Sequence, residues 1–419
     1  MLDALRNAWK IPDLRRRINF TLLTFLVFRL GSHIPVPGID PSVLADIFSQ
    51  GNLLGFLDLF SGGALKRVSI FALSITPYIT SSIIVQLLTI VIPSWEEMAR
   101  EGEEGRKKLA QYTRYGTVVL ALIQAMGMVA WMRGAILNPG MASYAVIVLA
   151  LTAGTAFLMW LGEEITEKGI GNGISLIIFA GIVSGLPVGL GQLLAYLQVR
   201  AINFLNILLL LVVMLIVVVA IIYVQEGERR ISVQYAKRVV GRRVYGGQST
   251  HIPLKVNQAG VIPIIFASSV LLFPTTVAQF IRHPWAQAVA SALEFGSTLN
   301  TFLYFALTLF FTFFYTAVTF NPVDVATNMK KYGGFIPGIR PGRPTSEYIS
   351  RVLYRITVVG ALFIALIAVL PVFVGAITGI QGLQFGGTGV VIVVGVALET
   401  MKQIEAHMLM RHYEGFLKK

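Results

Sequence analysis

Few side chains in this sequence have the types and spacing that catalysis or metal binding requires. The 419 residues include no cysteine, which excludes disulfides and thiolate metal sites. The five histidines, at positions 33, 251, 283, 407 and 412, are scattered and lack the spacing of metal ligands. We find no G-x-x-x-x-G-K-[ST] nucleotide loop and no nucleophile–base constellation. The sequence therefore predicts neither an enzyme nor a bound metal or cofactor.

Isoleucines next to breaks in the apolar segments have a different property, which is that they can exclude water. Six of them lie within a few residues of a proline or a glycine, namely Ile75, Ile79, Ile174, Ile178, Ile265 and Ile392. A ring of such side chains can close a pore by excluding water from it. Transmembrane isoleucines also pack in cores or face lipid, and spacing alone favours that interpretation.

The composition indicates what kind of elements carry these residues. Hydrophobic residues make up 55% of the chain and charged residues 13%, whereas soluble domains have about 25% charged residues. The chain is therefore predicted to be a polytopic membrane protein. Apolar runs predict ten membrane-spanning helices, at residues 18–34, 70–92, 115–131, 142–161, 173–190, 204–224, 259–281, 301–320, 352–374 and 387–406.

The distribution of basic residues predicts the orientation of these helices. Of the 34 lysines and arginines, 28 fall in segments that an inside amino terminus places in the cytoplasm, and five fall in outer segments. Only Arg29 lies well inside a predicted span. This asymmetry obeys the positive-inside rule and places both termini in the cytoplasm.

Two cytoplasmic loops, 225–257 and 321–350, are too elaborate for simple connectors. Residues 228–238 alternate as a strand does, and Arg340 lies in a turn rich in proline and glycine. Attraction to anionic lipid would explain the positive charge but not this turn chemistry. We therefore expect the basic loops to form a docking surface.

A short apolar piece precedes the second predicted span. Residues 53–65 are too few to cross a bilayer, and Gly62 and Gly63 lie near their end. The span that follows contains the sequence P-x-I-x-S-S from Pro77, which recurs from Pro263 as P-x-I-x-A-S in the seventh span. Paired interruptions in corresponding helices indicate a pathway between two repeats.

Several motifs, in order along nearly the whole chain, resemble the SecY family, which forms the centre of the bacterial protein-conducting channel. They are residues 34–38 (IPVPG), 60–65 (FSGGAL), 77–79 (PYI), 111–116 (QYTRYG), 169–175 (GIGNGIS), 235–238 (YAKR), 248–257 (QSTHIPLKVN) and 338–342 (GIRPG). The resemblance implies an all-α membrane protein with ten transmembrane helices. These would form two inverted five-helix halves, residues 1–190 and 191–419, around an hourglass pore with a re-entrant plug segment at about 52–65.

The resemblance also implies roles for individual residues. The pore ring would consist of Ile75, Ile79, Ile178, Ile265 and Ile392, with Ile174 as a further candidate, so the six isoleucines would not be ordinary packing residues. The plug would include Asn52, Phe56, Phe60, Gly62, Gly63 and Leu65. A lateral gate would place Thr76, Thr80, Ile83 and Gln86 opposite Phe266, Ser268, Ser269 and Phe273. Arg242, Arg243 and Arg340 would dock the SecA motor or the ribosome.

The function implied is passage of unfolded secretory polypeptides across the bacterial plasma membrane, with lateral release of apolar segments into lipid. Implied partners are SecE, a SecG-like subunit, the ATPase SecA, the ribosome, signal sequences and nascent chains, but no specific nucleic acid sequence. A secondary transporter and a passive membrane scaffold are the alternatives. The near-absence of charges in the predicted spans argues against the transporter, because ion coupling needs an ionisable or coordinating group.

Overall fold

The computed structural model describes residues 9–40, 61–198, 203–235, 238–240, 243–245, 249–280, 283–294, 296–378 and 387–417. The helices are α1 (Pro12–Gly31), α2 (Thr76–Val91), α3 (Pro93–Arg100), α4 (Glu103–Trp131), α5 (Met141–Lys168), α6 (Gly173–Gln198), α7 (Phe204–Glu226), α8 (Ile262–Phe280), α9 (Pro284–Ala292), α10 (Thr298–Thr319), α11 (Pro322–Lys331), α12 (Arg343–Thr378) and α13 (Gly387–Leu417). The strands are β1 (Glu228–Tyr235), β2 (Arg238–Val240), β3 (Arg243–Tyr245), β4 (Ser249–Lys255) and β5 (Gly334–Phe335). The predominantly helical architecture predicted from the sequence is confirmed.

Within the residues that the structure describes, six stretches of helix are long and apolar enough to cross a membrane. They are α4, α5, Gly173–Gly191 of α6, α7, Thr298–Lys331 and Arg343–Gly375 of α12. The bent pair α2 and α3, which turns by 102°, makes a seventh if it is one span. A helix also overlaps each remaining predicted span, but the full set of ten transmembrane helices stays a proposal.

Helix α2 begins later than the sequence predicted. The backbone from Gly62 to Ile75 forms turns, and Ser74, two residues before the helix begins, has a positive φ of 53°. Pro77 occupies the first turn of α2, and Pro263 the first turn of α8. A proline suits this position because the first amides of a helix have no intrahelical acceptor. The prediction that these prolines interrupt the spanning helices is wrong, since each one begins its helix.

The turns before α2 pack closely against the helices around them. Ser69 forms an antiparallel bridge with Pro35, and the Val36 amide donates to the Val68 carbonyl at 2.9 Å. On α5, a Cβ atom at Gly154 would lie only 1.9 Å from the Ile70 carbonyl oxygen. The glycine therefore lets α5 approach this backbone directly.

The two basic loops fold together instead of standing apart. β1 pairs with β4 as a hairpin and with β5 on its other edge, so the sheet order is β4-β1-β5. The sheet and the neighbouring helices share one small apolar core, made of Ile231, Val233, Leu254, Met329, Ile336, Ile349 and Leu353. The predicted strand in 228–238 is confirmed over 228–235, and the all-α description must be corrected for this small sheet.

The predicted halves contact each other through a few helices. In residues 1–190, α2 packs against α4 and α5, and α5 packs against α6. In residues 191–419, α8 and α13 both pack against α12. Between the two groups, α8 contacts α2 and α4, and α13 contacts α6. Helix α6 runs on to Gln198, beyond the predicted boundary at residue 190.

Candidate pore and lateral gate

The isoleucines singled out by the sequence come together from distant parts of the chain. Ile75, Ile79, Ile178, Ile265 and Ile392 are all buried in one hydrophobic cluster, and Ile174 is partly buried against it. Each of them caps its helix or lies in the first two turns, so α2, α6, α8 and α13 all contribute their beginnings to one cluster. An apolar cluster built in this way can exclude water and offers no strong binding group to a polar solute.

The predicted gate residues follow two helices that are in contact. Ile83 on α2 and Phe266 on α8 are buried in the same cluster as the isoleucines. The Phe266 ring packs edge-to-face against Phe311 of α10, with ring centroids 5.7 Å apart. Phe273 lies farther along α8 and is 37% exposed. The first and last predicted gate residues of α8 therefore have different surroundings.

Three of the four predicted gate hydroxyls form hydrogen bonds within their own helices. Thr80 Oγ1 donates to the Thr76 carbonyl at 3.1 Å, and the hydroxyls of Ser268 and Ser269 donate to the Ile265 carbonyl at 2.8 Å. This local bonding is common for serine and threonine in helices. These three hydroxyls therefore do not lock α2 to α8.

Gln86 brings a polar group to the same side of α2. Its side-chain nitrogen lies 3.5 Å from Ser82 Oγ, and its side-chain oxygen is buried without a hydrogen-bond partner. Buried polar groups of this kind are uncommon in folded proteins.

Two contacts that the sequence analysis missed connect α2, α4 and α5. Ser81 Oγ donates to the Thr113 carbonyl at 2.8 Å, and a Cβ atom at Gly116 would lie 2.4 Å from that hydroxyl. Arg114 forms an ion pair with Glu163 at 2.8 Å. The QYTRYG motif contained the signal, since it places a small residue and a cation next to Thr113.

The described part of the plug segment is attached to α1 and α6. Arg29 donates through Nη1 to the Gly62 carbonyl at 3.1 Å, so the one cation well inside a predicted span has a partner. Gly62 has a φ of +66°, and a Cβ atom there would lie 2.8 Å from Ser184 Oγ. Leu65 is buried, whereas Gly63 is half-buried. Asn52, Phe56 and Phe60 lie outside the described residues.

Of the three predicted docking arginines, Arg340 and Arg243 lie among the described residues. Arg340 is exposed in a turn between Gly338 and Gly342, which have φ angles of +80° and +105°. Its carbonyl accepts a hydrogen bond from Thr345 Oγ1 at 2.8 Å, so the turn is held while the side chain remains free to reach a partner. Arg243 begins β3, which pairs with β2, and Arg242 lies outside the described residues.

Comparison with known proteins agrees with this architecture. A family model described as SecY matches residues 69–401. The protein translocase subunit SecY of Halalkalibacterium halodurans is 53% identical over 431 residues, and the alignment covers 100% of both chains.

Two solved structures share the fold at low sequence identity. A SecY structure described as one whose plug domain stabilises the closed state of the translocation channel and maintains a membrane seal has a TM-score of 0.68 and 18% identity, over 94% of this chain and 92% of the other. Sec61 in the canine ribosome–channel complex has a TM-score of 0.64 and 17% identity over the same shares of the two chains.

The apolar spans, the shared fold and the family match define a membrane channel subunit of the protein translocase class. Identity over the full chain length makes the assignment more specific. The chain belongs to the SecY family.

Proposed function

We propose that this chain conducts unfolded secretory polypeptides across the bacterial plasma membrane and releases apolar segments sideways into lipid. The observation that carries the proposal is the buried isoleucine cluster, to which four helices of both predicted halves contribute their beginnings. A conduit for chains of any sequence needs a constriction without strong binding groups. A narrow apolar ring provides that and still denies ions a hydrated path at rest.

The gate and the plug follow from the same arrangement. Helix α8 contacts α2 and α4 in a cluster that includes Ile83 and Phe266, and the hydroxyls of Thr80, Ser268 and Ser269 bond within their own helices. Such a seam can part without breaking those hydrogen bonds. The segment around Gly62 would close the outer side of the pore at rest, supported by the plug described for the similar SecY structure.

The partners follow from the cytoplasmic sheet and its turn. The exposed Arg340 turn and the basic loops would meet the SecA motor or the ribosome, because complementary charge sets encounter rate and orientation. The fold shared with Sec61 in a ribosome complex supports the ribosome as a partner. SecE and a SecG-like subunit would bind the membrane helices. Helix α7 has an extensive exposed apolar surface, since only 17% of its most apolar stretch is buried.

Reconstitution tests the proposal against both alternatives. The purified chain, with SecE in liposomes, should take up a secretory precursor only when SecA and ATP are present. A small-solute transporter would instead take up solute without SecA, and a scaffold would take up neither. Precursor uptake that does not depend on this chain would contradict the proposal.

A further inference from the structure

The loop between α5 and α6 is bound by side chains from two other helices. The Gly169 carbonyl accepts from Arg17 Nη1 at 3.1 Å, and the Ile170 amide donates to Thr21 Oγ1 at 3.2 Å. The next amide, of Gly171, donates to Gln403 Oε1 of α13 at 2.9 Å. Each of these three consecutive loop residues is therefore bound by a side chain, and two of the side chains belong to α1 and one to α13.

The glycines of this loop are required by the space around them. A Cβ atom at Gly169 would lie 2.6 Å from Thr21 Oγ1. Gly171 has a φ of +91°, and a Cβ atom there would lie 2.8 Å from Leu176 and 3.1 Å from Thr400 Oγ1. Since larger residues would clash or be strained at both positions, the loop has little freedom to shift against α1 and α13.

An apolar cluster supports the same junction. Leu14 of α1, Ile170 of the loop and Ile404 of α13 are all at most 5% exposed. Partly buried side chains complete the cluster, namely Ile11, Ile18, Met401 and Met408. Close packing and hydrogen bonds therefore join the same three elements.

This junction and the gate seam both connect the two predicted halves, but their chemistry differs. Helix α1 and the loop belong to residues 1–190, and α13 belongs to residues 191–419. At the seam, Thr80 and Ser269 bond within their own helices. At the junction, Gln403 bonds directly to the backbone of the other half. At the junction, therefore, the described residues include a directional side-chain bond between the two halves.

We infer that the Gly169–Gly171 loop and Gln403 form a fixed joint between the halves, which stays closed while α8 separates from α2. Gln403 is then a positioning residue, because it keeps α13 in register with the first half during gate opening. The inference rests on the proposed lateral gate but concerns a different contact. It accounts for the GIGNGIS motif, to which the pore and gate assign only Ile174.

Paired cysteines test the joint, and the absence of native cysteine makes the experiment clean. The variant with Ile170→Cys and Ile404→Cys is oxidised in the reconstituted complex. The chain is then cleaved between the two positions, and a disulfide is detected because the two fragments stay together on a non-reducing gel. We expect the bridge to form and precursor transport to continue at the unbridged rate. The matched control is a bridged α2–α8 pair, which should lose transport.

Two results would overturn the joint. One is a 170–404 bridge that arrests transport until reductant is added. The other is failure of this pair, and also of Leu14→Cys with Ile404→Cys, to be linked in the resting complex both by oxidation and by a short bis-maleimide, which spans a longer distance than a disulfide does. If the native chain itself does not transport, the proposed function fails, and bridging in the resting complex still decides whether the contact exists.

Substitution of Gln403 gives a second test. Gln403→Leu removes the acceptor for the Gly171 amide, whereas Gln403→Glu keeps an oxygen at that position. We expect the transport rate of the leucine variant to fall about fivefold, because one neutral hydrogen bond changes an equilibrium constant by about that factor. The glutamate variant should transport at the native rate. SecE binding and unfolding temperature should be similar in both variants. Normal transport by the leucine variant, or equal losses in both, would contradict a positioning role.

Discussion

Ile79 and Ile392 belong to different predicted halves and share one buried apolar cluster. Replacing either with asparagine places a hydrogen-bonding group in the proposed constriction and should ease its wetting. We expect higher resting ion conductance in single-channel recordings and export of precursors that carry defective signal sequences. Ile79→Leu and Ile392→Leu are the controls, since they keep the apolar character and should keep the channel closed. Unchanged conductance and unchanged signal stringency in both asparagine variants would rule out a ring role.

Arg340 permits a separate test of the cytoplasmic surface. Its side chain is exposed, while its carbonyl carries the hydrogen bond that holds the turn. Arg340→Ala should therefore change the unfolding free energy by no more than about 0.5 kcal/mol, yet strongly reduce SecA-driven transport. Arg343→Ala is a matched control, because Arg343 is also exposed but is paired with Glu347 at 2.9 Å. The double change Arg242→Ala with Arg243→Ala should act as Arg340→Ala does. If Arg340→Ala and the double variant both transport at the native rate, these arginines serve only to orient the protein in the membrane.

At the scale of elements, α5 packs directly on the turns that precede α2. The Cβ atom of Gly154→Ala would meet the Ile70 carbonyl oxygen, a backbone atom that cannot rotate away. We expect this change to destabilise the protein by about 1–3 kcal/mol, as overpacking does. Gly191→Ala on α6 is the control, because nothing lies within 4 Å of its added methyl group and alanine favours the helix. Thermal unfolding in detergent compares the two, and equal stabilities would show that the 62–75 turns can move away from α5.

The contact between α2 and α8 is the second prediction at this scale. Thr80→Cys, combined with Phe266→Cys, Ser269→Cys or Phe273→Cys, should form a disulfide in at least one resting combination, because the two helices pack together. The bridge should arrest precursor transport, and reductant should restore it. Phe266 is buried against Phe311 while Phe273 is partly exposed, so the position 273 pair is more accessible to the oxidant. Normal transport by every bridged pair would show that α2 and α8 need not separate.

At the scale of the whole molecule, the charge distribution predicts which loops face the cytoplasm. Asn138 precedes α5 and Lys331 ends α11, and both are exposed. In intact cells, a membrane-impermeant maleimide should label Asn138→Cys, whereas Lys331→Cys should react only after permeabilisation. The reverse pattern would invert the orientation and move the Arg340 turn away from any cytoplasmic motor.

The sequence by itself determined the membrane character of the protein, the approximate positions of the apolar spans that the structure describes, and a strand in 228–238, of which 228–235 is confirmed. These features are local, because a segment in lipid must satisfy its backbone hydrogen bonds within itself and therefore needs a long apolar run. The basic loops could be located in the same way from charge alone. The motifs that resembled the SecY family also lie in short, continuous stretches, and the family match over residues 69–401 confirmed the resemblance.

Only the tertiary structure decided which of these pieces meet. It joined the two basic loops into one sheet through β1 and β5. It also began α2 only at Thr76, because the residues before it form turns that pack against α5 instead of the predicted helix. It also bonded Gly171 to Gln403, 232 residues later in the chain. The physical reason is that apolar periodicity marks a buried face without naming what covers it, whereas close approach depends on the shapes of side chains from distant segments.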